Sequence, residues 1–256
     1  MTTLDLTPAP GAAPLPRMVL AQAGAEMRGM LRNGEQLLLT MIIPVLVLVG
    51  FSLAPLLEVP GERIAYVTPG VLALAIMSTA FTGQAIATGF ERRYGVLKRL
   101  GATPLSRTGL MLGKTLAIAG VEIVQVVLIV AVALGLGWRP ELSHGPVGPV
   151  LFVVAGTAAF SGLGLLMAGT LRAEATLAAA NLVYLVLLGL GGVVFPVDLF
   201  PAAMQGVVEL LPITALADGL RVLLTGGSPF PYQELLILCG WAVAGLVLAA
   251  LTFRWE

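Results

Sequence analysis

Charge-free apolar runs recur along this chain, each long enough to cross a hydrocarbon core of about 30 Å as a helix. They predict spans at about residues 36–57, 66–90, 112–137, 147–171, 175–196 and 234–253. Pro44 falls inside the first run and predicts a kink, and Pro69-Gly70 lies near the start of the second. Residues 197–232 break the pattern: too apolar for a solvated loop, too interrupted for a span. Within them Ala202–Leu211 and Ile213–Leu224 each read as a short helix after a proline start. That length suits a re-entrant or interfacial hairpin on the outer side. Ahead of the first span, Val19, Ala23, Met27, Met30 and Leu31 share one helical face, with Arg17, Glu26, Arg28 and Arg32 mostly elsewhere. This predicts an N-terminal helix on the inner side that either lies in the headgroup plane or leads from the cytosol into the first span. Residues 1–16 are polar and Pro/Ala-rich, without a cleavable signal pattern, and read as a disordered tail.

The fold class expected is all-α: a polytopic membrane protein with six transmembrane helices in a single domain, 17–256. Composition agrees. The chain is 58% hydrophobic and 11% charged, with mean hydropathy +0.98, against about 25% charged residues in soluble domains. Net charge is zero, so its distribution carries the information. With the N-terminus inside, inner segments hold 11 Lys and Arg and outer segments 3. The positive-inside rule then places both termini in the cytoplasm.

The cations concentrate between the second and third spans. Arg92, Arg93, Lys98, Arg99, Arg107 and Lys114 stand there with one acid, Glu91. Tyr94, Leu97 and Leu100 recur at helical spacing, Gly101 fits a helix stop, and Thr103-Pro104 a break. A short amphipathic cytoplasmic helix is expected there. It either docks a partner through its apolar residues or contacts lipid headgroups.

Candidate chemistry is sparse. One His (His144) and one Cys (Cys239) exclude an ordinary zinc site within this chain. Thr108–Thr115 nearly matches a P-loop, but Thr108 replaces the first glycine and no strand precedes it, so no nucleotide site is implied. Lys114 is expected to snorkel at the inner boundary. Glu122 is the one acid within a span, with Gln125 three residues on. They line a polar pathway, seal a subunit contact, or leave Glu122 snorkelling or paired with Lys114 or Arg172. Asn181 is expected to donate a hydrogen bond between helices. No catalytic group and no nucleic-acid-binding feature is visible.

The run Glu91-Arg92-Arg93-Tyr94-Gly95-Val96-Leu97-Lys98-Arg99-Leu100-Gly101, continued by Thr103-Pro104-Leu105-Ser106-Arg107 and Gly113-Lys114, resembles the loop after the second span of ABC-2 type permeases. Phe195-Pro196, Phe200-Pro201, Leu211-Pro212 and Arg221 are similar to that family's segment between spans five and six. The resemblance covers residues 17–256 and is nearest in feel to drug-export permeases of daunorubicin-resistance type. It implies a permease subunit in a bacterial inner membrane, paired with a second permease (same or related chain). Separate ATPase subunits would bind ATP and Mg, leaving no cofactor on this chain. It implies outward movement of an amphipathic drug-like or lipid-linked compound, as in antibiotic resistance. Glu91, Arg92, Arg93, Tyr94, Leu97, Lys98, Arg99 and Leu100 would form the coupling helix. The family's usual acid after Gly-x-Leu is here Lys98. The competing class is a self-contained secondary transporter or channel. It calls for an intramembrane ion-binding cluster and internal repeats, and the sequence offers only Glu122.

Overall fold

Two glycines bring two helices into backbone contact. In the computed structural model, which describes residues 11–54, 61–193, 197–226 and 228–252, Gly162 of helix α7 (Val147–Thr170) meets Gly245 of helix α11 (Tyr232–Thr252) backbone to backbone. A Cβ on Gly162 would stand 2.7 Å from the Leu246 amide nitrogen and 2.9 Å from the Gly245 carbonyl carbon. Without side chains there, the two helices pack along their length, as small residues permit between membrane helices.

The other elements follow the apolar pattern, and every described regular element is helical. They are α1 (Leu15–Arg32), α2 (Gly34–Leu53), α3 (Arg63–Ile76), a π-helical segment (Met77–Gly83), α4 (Gln84–Arg93), α5 (Val96–Gly101), α6 (Arg107–Gly135), α8 (Ala173–Leu190), a 3-10 turn (Val197–Leu199), α9 (Ala202–Glu209) and α10 (Pro212–Thr225). Among the described residues, five helices are long and apolar enough to cross a membrane: Arg63–Arg93, Arg107–Gly135, Val147–Thr170, Ala173–Leu190 and Tyr232–Thr252. Helix α2 adds a shorter apolar stretch, Thr40–Leu53, and continues through Pro44. This is the expected all-α polytopic membrane fold.

Local chemistry explains the boundaries. The Ser106 side chain caps α6 by accepting from the Gly109 amide at 3.1 Å. Pro201 and Pro212 open α9 and α10. Helix α8 stops at Leu190, short of the expected end at 196, because Gly191-Gly192 turns the chain, with Gly192 at φ 64°. Part of that expected span, together with Phe195-Pro196, lies outside the described residues. So do residues 1–10 of the expected tail, the end of the expected first span, and Arg254. Residues 15 and 16, assigned to the tail, are the first turn of α1.

Helix α1 runs alongside α6 with Val19 and Ala23 buried, while Leu20 and Leu31 remain exposed. Helix α10 is a core element: it packs against α3, α7 and α11 and buries Ile213, Leu216, Leu220 and Leu223 completely. Its neighbour α9 leaves Met204, Val207 and Leu210 exposed. Arg221 fastens α10 in place. Its guanidinium donates to the Gly192 carbonyl at 2.8 Å, pairs with Asp218 at 2.5 Å and stands 4.1 Å from the Tyr66 ring centroid. Burial pushes the Asp218 carboxyl above its ordinary range, and the Arg221 charge works against that rise.

Candidate functional site

The basic end is built differently from the single amphipathic helix expected. Helix α4 stops at Arg93, Gly95 adopts φ 70°, and α5 starts again at Val96. The break separates residues that the periodicity placed on one face. Tyr94 is 68% exposed and stacks on Phe90, whereas Leu97 is fully buried. Leu97 packs with Leu105 and Leu110, and with half-buried Met18 and Leu100. It therefore belongs to the protein's own interior and presents nothing to a partner. Arg93, Tyr94, Lys98 and Arg99 form the exposed part of this end.

Several of the island's cations are engaged within the chain. Arg92 donates to the Leu171 carbonyl, and Arg93 pairs with Glu174. Lys114 does not snorkel; its side chain is 4% exposed. Its Nζ lies 2.7 Å from Glu26 Oε1 and 2.6 Å from Glu91 Oε2. Gln22 also donates to Glu26, at 2.8 Å. One buried ammonium thus ties α1, α4 and α6 together through two carboxylates. A buried cation is tolerable only with such partners.

Further along α6, polar side chains face other helices. The Thr115 and Ser161 hydroxyls lie 2.7 Å apart, and Ser161 donates to Gln84 Oε1 at 2.7 Å. The Thr157 hydroxyl donates to the Glu122 carboxylate. Gln125 accepts from Thr79 at 3.1 Å and donates to the Thr40 carbonyl at 2.7 Å. Glu122 and Gln125 are 1% and 0% exposed, so both join helices inside one chain. Glu122 does not pair with Lys114 or Arg172. Asn181 is exposed and donates at 2.9 Å to Leu177 of its own helix, not across helices. Cys239 is exposed on α11.

Asn181 does line a groove of about 640 Å³ between α2, the α3–α4 span and α8. Thr40, Ile43 and Pro44 of α2 form one wall. Leu74, Ser78, Thr82, Gly83, Ile86 and Ala87 form the second, with Tyr184 and Asn181 of α8 opposite and Asn33 at one end. The π-helical segment supplies Ser78, Thr82 and Gly83; such wide turns recur at functional sites. The Thr82 hydroxyl has no hydrogen-bond partner among the described residues. No lining residue is charged among the described residues. Sequence reasoning found only Asn181 of this set. The visible trace of the rest was the cluster Ser78-Thr79 and Thr82-Gly83 interrupting an apolar run.

Comparison with known proteins matches residues 19–225 to the ABC-2 type transporter family model. The chain is 24% identical over 233 residues to "Putative transport permease YvfS" of Bacillus subtilis (strain 168), covering 89% of this chain and 94% of that protein. It is 30% identical over 172 residues to "Putative transport permease ycf38" of Pyropia yezoensis, covering 65% and 58% respectively. To the linearmycin resistance permease protein LnrN of Bacillus subtilis (strain 168) it is 27% identical over 164 residues, covering 63% and 40%. With four-fifths of its length inside the family model, and with the multi-pass helical architecture the family requires, this chain belongs to the ABC-2 type transporter family.

Proposed function

We propose that the chain is the permease subunit of an ATP-driven exporter in a bacterial inner membrane, with both termini cytoplasmic. It moves an amphipathic drug-like or lipid-linked compound outward, and a separate ATPase subunit binds and hydrolyses ATP with Mg. The observation that carries the transport reading is the groove of about 640 Å³, largely apolar with a few hydroxyls and amides. Such a lining holds an amphipathic molecule by its apolar part and orients it through few polar contacts. The groove lies open along the side of one chain. The surfaces beside it on α2 (Leu38, Ile42, Leu46) and α8 (Leu182, Leu185) are exposed and apolar, so a second permease of the same or a related kind would close it.

The exposed residues Arg93, Tyr94, Lys98 and Arg99 are the proposed ATPase-docking surface. Helix α5 is anchored from beneath by Leu97, so a push on that surface reaches α6 and α1 as a rigid-body shift. Affinity purification in mild detergent from the native host is expected to recover an ATPase subunit at about equal stoichiometry. Tyr94→Asp combined with Lys98→Glu and Arg99→Glu is expected to lose that subunit while this chain stays monodisperse. A clean chain that moves solute under an ion gradient, with no ATPase present, overturns the proposal.

A second result bears on the groove. Thr82→Trp fills it and is expected to cut transport at least about tenfold, the effect of removing roughly 1.4 kcal/mol of transition-state stabilisation, at normal protein levels. Unchanged transport removes the groove from the pathway.

A further inference from the structure

Three long spans end together at the basic side. Helix α4 finishes at Arg93, α7 at Thr170, and α8 begins at Ala173 after only two linking residues. Those two, Leu171 and Arg172, are extended, with ψ 158° and 153°. Arg92 holds the link from α4 by donating to the Leu171 carbonyl. Beside it lies a cavity of about 440 Å³ lined by Gly89, Arg92, Arg93, Arg172, Ala173 and Glu174. Three guanidiniums face one carboxylate, and that carboxylate is paired with Arg93. Helix α4 approaches α8 closely under this cavity, since a Cβ on Gly89 would stand 3.4 Å from the Thr176 side chain.

We propose that this cavity binds a phosphate group, either in the headgroup of an anionic phospholipid or free in solution. The chemistry is that of the donors. Planar guanidinium groups bind phosphate oxygens through paired charge-assisted hydrogen bonds. The first-turn amides of α8, which lack a side-chain cap, add partial positive charge at the same place. The position is that of a lipid headgroup, because the cavity sits where three membrane-length helices end. Basic pockets between membrane helices hold lipid headgroups in this way. The competing reading is that the arginines serve only internal pairs. The Arg93–Glu174 pair is open to solvent, with side chains 51% and 63% exposed. An exposed pair of this kind is weak, so an incoming phosphate can displace the carboxylate. Arg172 is exposed, and the chain's net charge around the cavity stays positive after the pairing. This site lies apart from the groove and does not depend on the transport reading.

The full-length chain, in nanodiscs of phosphatidylcholine doped with phosphatidic acid, tests this by native mass spectrometry of retained lipid. Inorganic phosphate titrated onto lipid-free protein in neutral detergent forms the second arm. Wild type is expected to retain phosphatidic acid over phosphatidylcholine. Arg93→Gln with Arg172→Gln is expected to reduce that retention about tenfold, as losing charged hydrogen bonds predicts. Glu174→Gln removes the competing carboxylate and is expected to raise it, which a misfolded variant cannot do. Arg17→Gln with Arg28→Gln deletes the same charge on α1 and is expected to leave retention unchanged. Saturable inorganic phosphate binding with the same variant pattern, without preference for phosphatidic acid, assigns the site to free phosphate. Equal losses in the α1 control, or no response to the cavity variants in either arm, overturns the proposal.

Discussion

Lys114→Met is expected to destabilise the protein by roughly 3–5 kcal/mol, the usual cost of removing one member of a buried charge cluster. The loss comes from what stays behind. Glu26 and Glu91, 14% and 25% exposed, would face each other with no cation between them. For a chain of this size that is a fall of roughly 10 °C in the unfolding midpoint. Thermal unfolding followed by fluorescence-detected size exclusion measures it. The triple variant Glu26→Gln, Glu91→Gln, Lys114→Met leaves no charge in this cluster and is expected to recover most of the loss. If Lys114→Met melts with the wild type, the ammonium is not what joins α1, α4 and α6. If the triple variant melts as low as the single one, the effect is packing rather than charge.

The second large effect is steric. Gly162→Leu is expected to prevent α7 and α11 from seating, because the added Cβ alone would lie 2.7 Å from a backbone nitrogen. A flexible side chain gives way to such a clash, but a helix backbone does not. The cost is expected to reach or exceed about 3 kcal/mol, the upper part of the usual overpacking range. The purified chain should then elute as aggregate or unfold well below the wild type. Gly189→Leu is the comparison: nothing stands within 4 Å of a Cβ there, so the melting temperature is expected to stay near that of the wild type. Equal stability of the two variants contradicts the close α7–α11 packing.

The spans were legible because a charge-free run of about twenty residues has few other stable forms. Their ends were less so. Apolar residues continue past Leu190, yet the helix stops at a glycine pair. In the basic island the spacing of Tyr94, Leu97 and Leu100 fitted one helix, and Gly95 inside it gave no warning. A glycine in mid-helix and a glycine at positive φ look alike in sequence. Leu97 turned inward because Leu105, Leu110 and Met18 cover it, and periodicity does not show which side is covered. Lys114 looked like a boundary cation because one of its partners, Glu26, lies 88 residues away. The groove was harder still. Its second wall depends on a π-helical segment, which shifts the angular register of the residues within and beyond it, so a count at 3.6 residues per turn misplaces Thr82, Ile86 and Ala87.

The unbroken span Arg63–Arg93 has a mechanical consequence. Its 31 residues make a rod of about 45 Å, some 15 Å longer than a typical hydrocarbon core. The groove hydroxyls sit near its middle and the arginines at its tip. Thr82 to Arg93 is a lever arm of about 16 Å, so a tilt of ten degrees about the groove, on the order of tilts found in membranes, sweeps the tip by about 3 Å. Lys114 clasps that tip to α6 and α1, so any tilt of this span would carry those two helices with it.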